Sequence, residues 1–133
     1  MTLSVKIIAP DRTIWKTEAE EVILPSSTGL IGILTGHASL LTSLDVGVMR
    51  VRVNGKWSPL ALMGGFAEVA NNNLTVLVSA AEQGSSIDIS QATLDLDNAK
   101  SLSAQAKSSR EILSAKKNLK KANARLLAAE LAK

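Results

Sequence analysis

The sequence predicts a mainly β protein with an α-helical end: an N-terminal antiparallel β-sandwich of about ten strands over residues 1–86, then a C-terminal antiparallel helical hairpin over residues 87–133. Three observations lead there. Apolar residues alternate in strand fashion between turn signals up to about Asp88 and follow helical spacing beyond it. No helix-length period interrupts the strands, which favours antiparallel sheets packed as a sandwich or flattened barrel over an alternating parallel fold. The charge divides at nearly the same place: residues 1–106 carry seven Lys/Arg against ten Asp/Glu, and residues 107–133 carry eight against two. The net charge of +3 therefore hides an acidic body and a strongly basic tail, suited to an acidic partner.

Strand signals start with Leu3-Ser4-Val5-Lys6-Ile7-Ile8 and recur between the turn signals Pro10-Asp11, Pro25-Ser26-Ser27, Gly36, Asn54-Gly55, Asn71-Asn72-Asn73 and Gly84, a spacing that suits eight to ten strands. Between Val46 and Val53, Arg50 and Arg52 alternate with Met49, Val51 and Val53, so one face is wet and the other buried. Asn54-Gly55 supplies the two positive-φ residues of a tight hairpin, and Lys56 to Leu60 opens the return strand.

Asp88 and Gln91 have capping-box spacing, and Ala92, Leu96, Ala99, Leu102 and Ala106 then form one helical stripe. Ser108 and Glu111 repeat the spacing, which starts a second helix after a short turn near residues 107–109. Ile112, Ala115, Leu119, Ala122, Leu126 and Ala129 carry its stripe over about 22 residues, roughly 33 Å. About half of each stripe is alanine, whose methyl contributes about 0.8 kcal/mol on burial against about 1.5–3 kcal/mol for Leu or Ile. Ordering the backbone costs about 1–2 kcal/mol per residue. The hairpin is therefore expected to pack closely on itself and weakly on the sheets, as an arm able to detach and rearrange.

The length of 133 residues suits one core of about ninety residues with an appendage. Trp15, Trp57 and Phe66 are the only rings, so there is little surface for stacking bases. The absence of cysteine excludes disulfides, thiolate nucleophiles and thiolate zinc sites. The start lacks the pattern of a secretory signal. The longest apolar stretch, Leu60 to Ala67, is eight residues, short of the ~20 of a spanning helix, so no transmembrane insertion is expected.

Motifs for phosphate-cradling loops, nucleophile elbows and helical zinc sites are absent, and neither catalytic residues, metal nor cofactor is expected. The one histidine, His37, lies in a glycine-rich turn and suits either an interface contact or a local hydrogen bond. Lys116, Lys117, Lys120, Lys121 and Arg125 form a basic surface. It suits a solvated helix face, or a polyanion such as RNA bound through phosphate contacts by an autonomous module, though no aromatic residue in the tail stacks on a base. The opposite face, largely alanine, lacks the side chains that enter a membrane surface.

The stretch Gly29-Leu30-Ile31-Gly32-Ile33-Leu34-Thr35-Gly36-His37-Ala38-Ser39-Leu40-Leu41-Thr42 closely resembles the signature loop of the epsilon subunit of F-type ATP synthases. Met63-Gly64-Gly65-Phe66-Ala67-Glu68-Val69 resembles that family's second signature, and Leu74-Thr75-Val76-Leu77-Val78 with Ala81-Glu82 its last strand. Ala9-Pro10-Asp11-Arg12 with Glu21-Val22-Ile23-Leu24-Pro25 is most similar to the photosynthetic branch, cyanobacterial or plastid. The resemblance covers the whole chain in order. It implies a ten-stranded sandwich followed by two helices, in a non-catalytic, cofactor-free subunit of the central stalk. That subunit would dock on the gamma subunit and the membrane rotor ring, peripheral to the thylakoid membrane on its cytoplasmic or stromal side, with no nucleic-acid partner.

The resemblance assigns Leu30, Ile31, Leu34 and His37 to contact with the ring or gamma. Some relatives have an acidic residue where Leu30 stands, and often proline where Thr35 and Ser39 stand, so a charge pair with the ring is not carried over and this loop is less rigid. The arm is implied to lie folded on the sandwich or to rise along gamma into the catalytic head and restrain ATP hydrolysis. Lys116, Lys117, Lys120, Lys121 and Arg125 would then meet acidic loops of the catalytic subunits. Certain relatives bind ATP on the folded arm through Ile-Asp-x-x-Arg-Ala. Here Ile87-Asp88-Ile89-Ser90-Gln91-Ala92 matches with Gln91 in the arginine's place, removing the fixed charge that pairs with phosphate. Asp88 and Gln91 are thus candidates for nucleotide binding and equally for a helix cap.

Overall fold

Two tight turns built from left-handed residue pairs organise the sheet. Asn54 (φ 51°) and Gly55 (φ 77°) join β5 (Leu40–Val53) to β6 (Lys56–Ala70), and Asn71 (φ 51°) and Asn72 (φ 62°) join β6 to β7 (Asn73–Val78). Their backbone twist matches that of the flanking strands, and Asn and Gly tolerate it where bulkier residues clash. The structure, a computed structural model describing residues 2–133, also contains β1 (Leu3–Ala9), β2 (Arg12–Ala19), β3 (Glu21–Ser26), β4 (Gly29–Leu34) and β8 (Ala81–Gln83). A 3-10 turn, Gly84–Ser86, leads into α1 (Ile89–Gln105) and α2 (Ser109–Leu131).

The strands pair in the order β2-β1-β7-β6-β5-β3-β4, with β8 beside β6. There are eight strands, the lower end of the eight to ten that spacing suits and fewer than the ten the resemblance implies, with β5 and β6 running unbroken for 14 and 15 residues. Along one edge β6 pairs first with β8, through Leu60–Leu62, and then with β7, through Gly65–Ala70. The change falls at Gly64 (φ 90°) and Gly65 (φ 153°). A Cβ on Gly65 would strike the Leu77 carbonyl, so glycine is required where the two strands approach most closely. The expectation of purely antiparallel sheets also needs correction: β1 pairs with β7 in parallel, Ser4–Ile8 against Asn73–Leu77. Alternation of apolar residues is the same for both orientations and could not distinguish them.

The main core draws on all eight strands and on neither helix, with Leu3, Ile7, Leu24, Ile33, Met49, Leu60, Leu62 and Leu74 fully buried. A separate cluster lies on the outside of the β5–β6 ribbon. There Val46, Val48, Ala61 and Met63 meet Ala124, Leu126, Ala128 and Ala129 of α2, with Ile87, Ile89 and Ala92. The ribbon is thus covered on both faces where α2 crosses it, and the continuous burial of Pro59–Leu62 gives way to alternation from Phe66 onward. α2 rests on β5 and β6, and α1 packs on α2.

Both helix starts are capped. The Asp88 carboxylate accepts from the backbone N–H of Ser90 (2.9 Å) and Gln91 (3.2 Å), and Ser108 Oγ accepts from Glu111 N–H (3.1 Å). The reciprocal half of the first box is not made, because the Gln91 side chain reaches forward to Asp95 (3.0 Å). The apolar stripes are buried along most of the hairpin, at Ala92, Leu96, Ala99, Ala115, Ala122 and Ala129, but Leu102 and Ile112 at its closed end are exposed. No described helix is long and apolar enough to cross a membrane.

The two environments along β6 make a direct prediction. Leu60→Ala removes a fully buried side chain and should cost about 2–5 kcal/mol in urea unfolding. Phe66→Ala, at an exposed position, should fall within about 0.5 kcal/mol of the parent.

Candidate interaction surfaces

β4 is an edge strand, and alternation divides its side chains between two faces. Leu30 and Leu34 point outward and are 68% and 51% exposed, whereas Ile33 is fully buried and Ile31 packs against the main core. Of the four residues grouped as a contact loop, Ile31 therefore lies on the opposite face from Leu30 and Leu34. His37 sits just beyond the strand. Its backbone N–H donates to the Leu34 carbonyl (3.1 Å), and its Nδ1–H donates to the Ala38 carbonyl (2.7 Å). The loop is tied across the molecule by Gly36 N–H donating to Asn72 Oδ1 (2.7 Å), in the β6–β7 turn. That side-chain anchor fixes a loop that has no proline of its own.

A second apolar surface was not singled out from the sequence. Phe66, Leu77 and Ile8 are register partners across β6, β7 and β1; Phe66 and Leu77 are exposed, and Ile8 is half-buried. With Pro10 they line a shallow groove. The signal was available: in Leu74-Thr75-Val76-Leu77-Val78 the buried positions are Leu74, Val76 and Val78, so Leu77 is an apolar residue on the polar parity.

The basic residues of α2 divide into two groups. Lys116, Lys117 and Lys121 are exposed and take part in no ion pair among the described residues. Arg125 is held. Its Nε and Nη2 donate side-on to the two oxygens of Glu82 on β8 (2.6 and 3.3 Å), and its Nη1 donates to Asp95 Oδ2 on α1 (3.2 Å). This planar fork matches the carboxylate and uses the shape that distinguishes arginine from lysine. The hydrogen bond to Glu82 and the two negative charges raise the Arg125 pKa above its ordinary value, outweighing the opposing effect of burial. As far as the guanidinium's own proton is concerned, the stabilisation is complete below arginine's ordinary pKa and is lost as pH rises through the raised value. Lys120 stands more loosely, 3.9 Å from Asp45 on β5, with both side chains over half exposed.

Glu82 and Asp95 were not identified from the sequence as partners of Arg125, from which they are 43 and 30 residues distant. Register explains the placement of Glu82: it pairs with Ala61, whose outer side lies beneath α2. Asp88 and Gln91 are both engaged at the start of α1, as cap and as donor to Asp95, so Asp95 links the cap of α1 to Arg125. Gly84, in the 3-10 turn, lies close against the arm, since a Cβ there would strike the Ala128 carbonyl.

Comparison with known proteins gives one consistent answer. The β-sandwich domain of the ATP synthase delta/epsilon chain matches residues 2–84. The chain is 58% identical over 132 residues to the chloroplastic ATP synthase epsilon chain of Porphyra purpurea, covering 99% of this chain and 98% of that one. It is 54% identical over 132 residues to the ATP synthase epsilon chain of a Cyanothece species, covering 97% and 96%. Its fold matches a chain of the Euglena gracilis mitochondrial ATP synthase with a TM-score of 0.85 at 21% identity, covering 97% of this chain and 81% of that one. A sandwich followed by a folded helical arm, with relatives of that identity matched end to end, places the chain in the ATP synthase epsilon family, in the branch shared by chloroplasts and cyanobacteria.

Proposed function

We propose that this chain is a non-catalytic rotor subunit of a proton-translocating ATP synthase at the thylakoid membrane, coupling ring rotation to the catalytic head and restraining ATP hydrolysis through its C-terminal arm. The observation that carries the reading is the separation of the two packing clusters. The main core contains no residue of α1 or α2, and the arm is held outside it by small, alanine-rich contacts. An arm mounted this way leaves its seat without opening the core, which makes residues 1–86 the dock and 87–133 the movable element.

The outward leucines of β4 and the Phe66–Leu77–Ile8 row supply apolar contact area for gamma and the rotor ring. His37, fixed by its turn, presents a polar group beside Leu34. On α2, Lys116, Lys117 and Lys121 present unpaired positive charge to acidic loops of the catalytic head.

ATP hydrolysis by the matching head, measured with the full chain and with a chain ending at Ser86, tests the division of labour. Both should bind and only the full chain should inhibit; equal inhibition would place the brake in the sandwich. Converting Lys116, Lys117 and Lys121 together to Gln should weaken inhibition, and added salt should weaken that of the parent, because these charges are exposed to screening. Leu30→Asp with Leu34→Asp should reduce co-purification with gamma and the ring while leaving the unfolding midpoint of the isolated subunit nearly unchanged.

A further inference from the structure

Arg125 occupies a position in the docked arm that the other exposed cations of α2 do not share. Two carboxylates hold it, one from the sandwich and one from the neighbouring helix, with its side chain 30% exposed. We infer that Glu82 and Asp95 mask Arg125, so that the sandwich and the arm's acidic partner compete for the same guanidinium and each binding mode excludes the other. The inference rests on the arm acting as a brake through its basic face, and it adds the device that sets how readily the arm leaves its seat.

Geometry sets up the competition. The side-on pair with Glu82 engages Nε and Nη2, and Asp95 takes Nη1, so all three nitrogens of the fork are engaged when the arm is docked. An acidic loop that is to take the side-on edge of the fork must displace Glu82 from Nε and Nη2, and full use of Nη1 means displacing Asp95. The two acids also lie on different elements: Glu82 ties the arm to β8, and Asp95 ties α2 to α1. Losing Glu82 weakens docking, losing Asp95 loosens α2 from α1, and either loss frees a donor on the arginine.

This arrangement predicts opposite signs for substitutions on the two sides of one contact. In the isolated full-length subunit, Glu82→Gln, Asp95→Asn and Arg125→Gln should each accelerate hydrogen exchange in α2 by about threefold to tenfold. Gly84→Ala should do so by steric conflict with Ala128 while leaving every charge in place. On the matching catalytic head, Glu82→Gln and Asp95→Asn should inhibit ATP hydrolysis more strongly than the parent, as should Gly84→Ala. Arg125→Gln, despite its freed arm, should inhibit less than Gly84→Ala.

Unchanged exchange in both carboxylate variants would overturn the inference. So would equal inhibition by Arg125→Gln and Gly84→Ala, since the arginine would then have no role once released. Failure of the underlying brake reading shows separately: the variant with Lys116, Lys117 and Lys121 converted to Gln would inhibit like the parent, while the exchange results for the isolated subunit would stand.

Discussion

The structure depends on a ribbon that is covered on both faces. β5 and β6, joined through the Asn54–Gly55 turn, put Met49, Val51, Leu60 and Leu62 into the main core and Val46, Val48, Ala61 and Met63 beneath α2. Further along, where no helix lies over it, β6 returns to alternation with Phe66 and Glu68 exposed. The outer face is buried only where the arm sits; beyond it, exposed Phe66 stands beside the charged Glu68. The same ribbon builds the sandwich and forms the seat for the arm, so docking and folding share strands without sharing a core.

The seat is broad enough to position the arm but chemically modest. Most of its buried residues are alanine, and each methyl contributes little. Close approach compensates in part, as at Gly84 against Ala128, where two backbones meet without a side chain between them. The remaining specificity is electrostatic, from one arginine between two acids. Uniform packing by larger apolar side chains would hold the arm more tightly.

Much of the architecture was legible because it is local. Alternation located the strands, the Asn-Gly and Asn-Asn pairs located the hairpins, and the spacing of Asp88 and Ser108 located both helix starts within a residue. What escaped was non-local. The strand count came out at the lower end of the eight to ten that spacing suits, because β6 continues through Gly64-Gly65 as one bent strand. The parallel β1–β7 pair leaves no trace in either segment alone. Leu30, Leu34 and His37 were placed on the surface by the motif that carries them, yet Ile31 was grouped with them although parity turns it inward. Arg125 was counted with the lysines because its partners are distant in sequence, and only the register of β8 brings Glu82 beneath it.

The parallel pairing of β1 with β7 also constrains the order in which the chain becomes a protein. β1 emerges first and forms a hairpin with β2, but its other edge stays open until β7 has been made, about 70 residues later. Throughout that interval the alternating apolar face of β1 has no opposite layer, and its free edge is a template for mispairing. The N-terminal hairpin is thus local in its own pairing and dependent on a distant strand for its second edge. Since β8 and the two helices follow directly on β7, the segment that closes the sandwich leads straight into the arm that covers the β5–β6 ribbon.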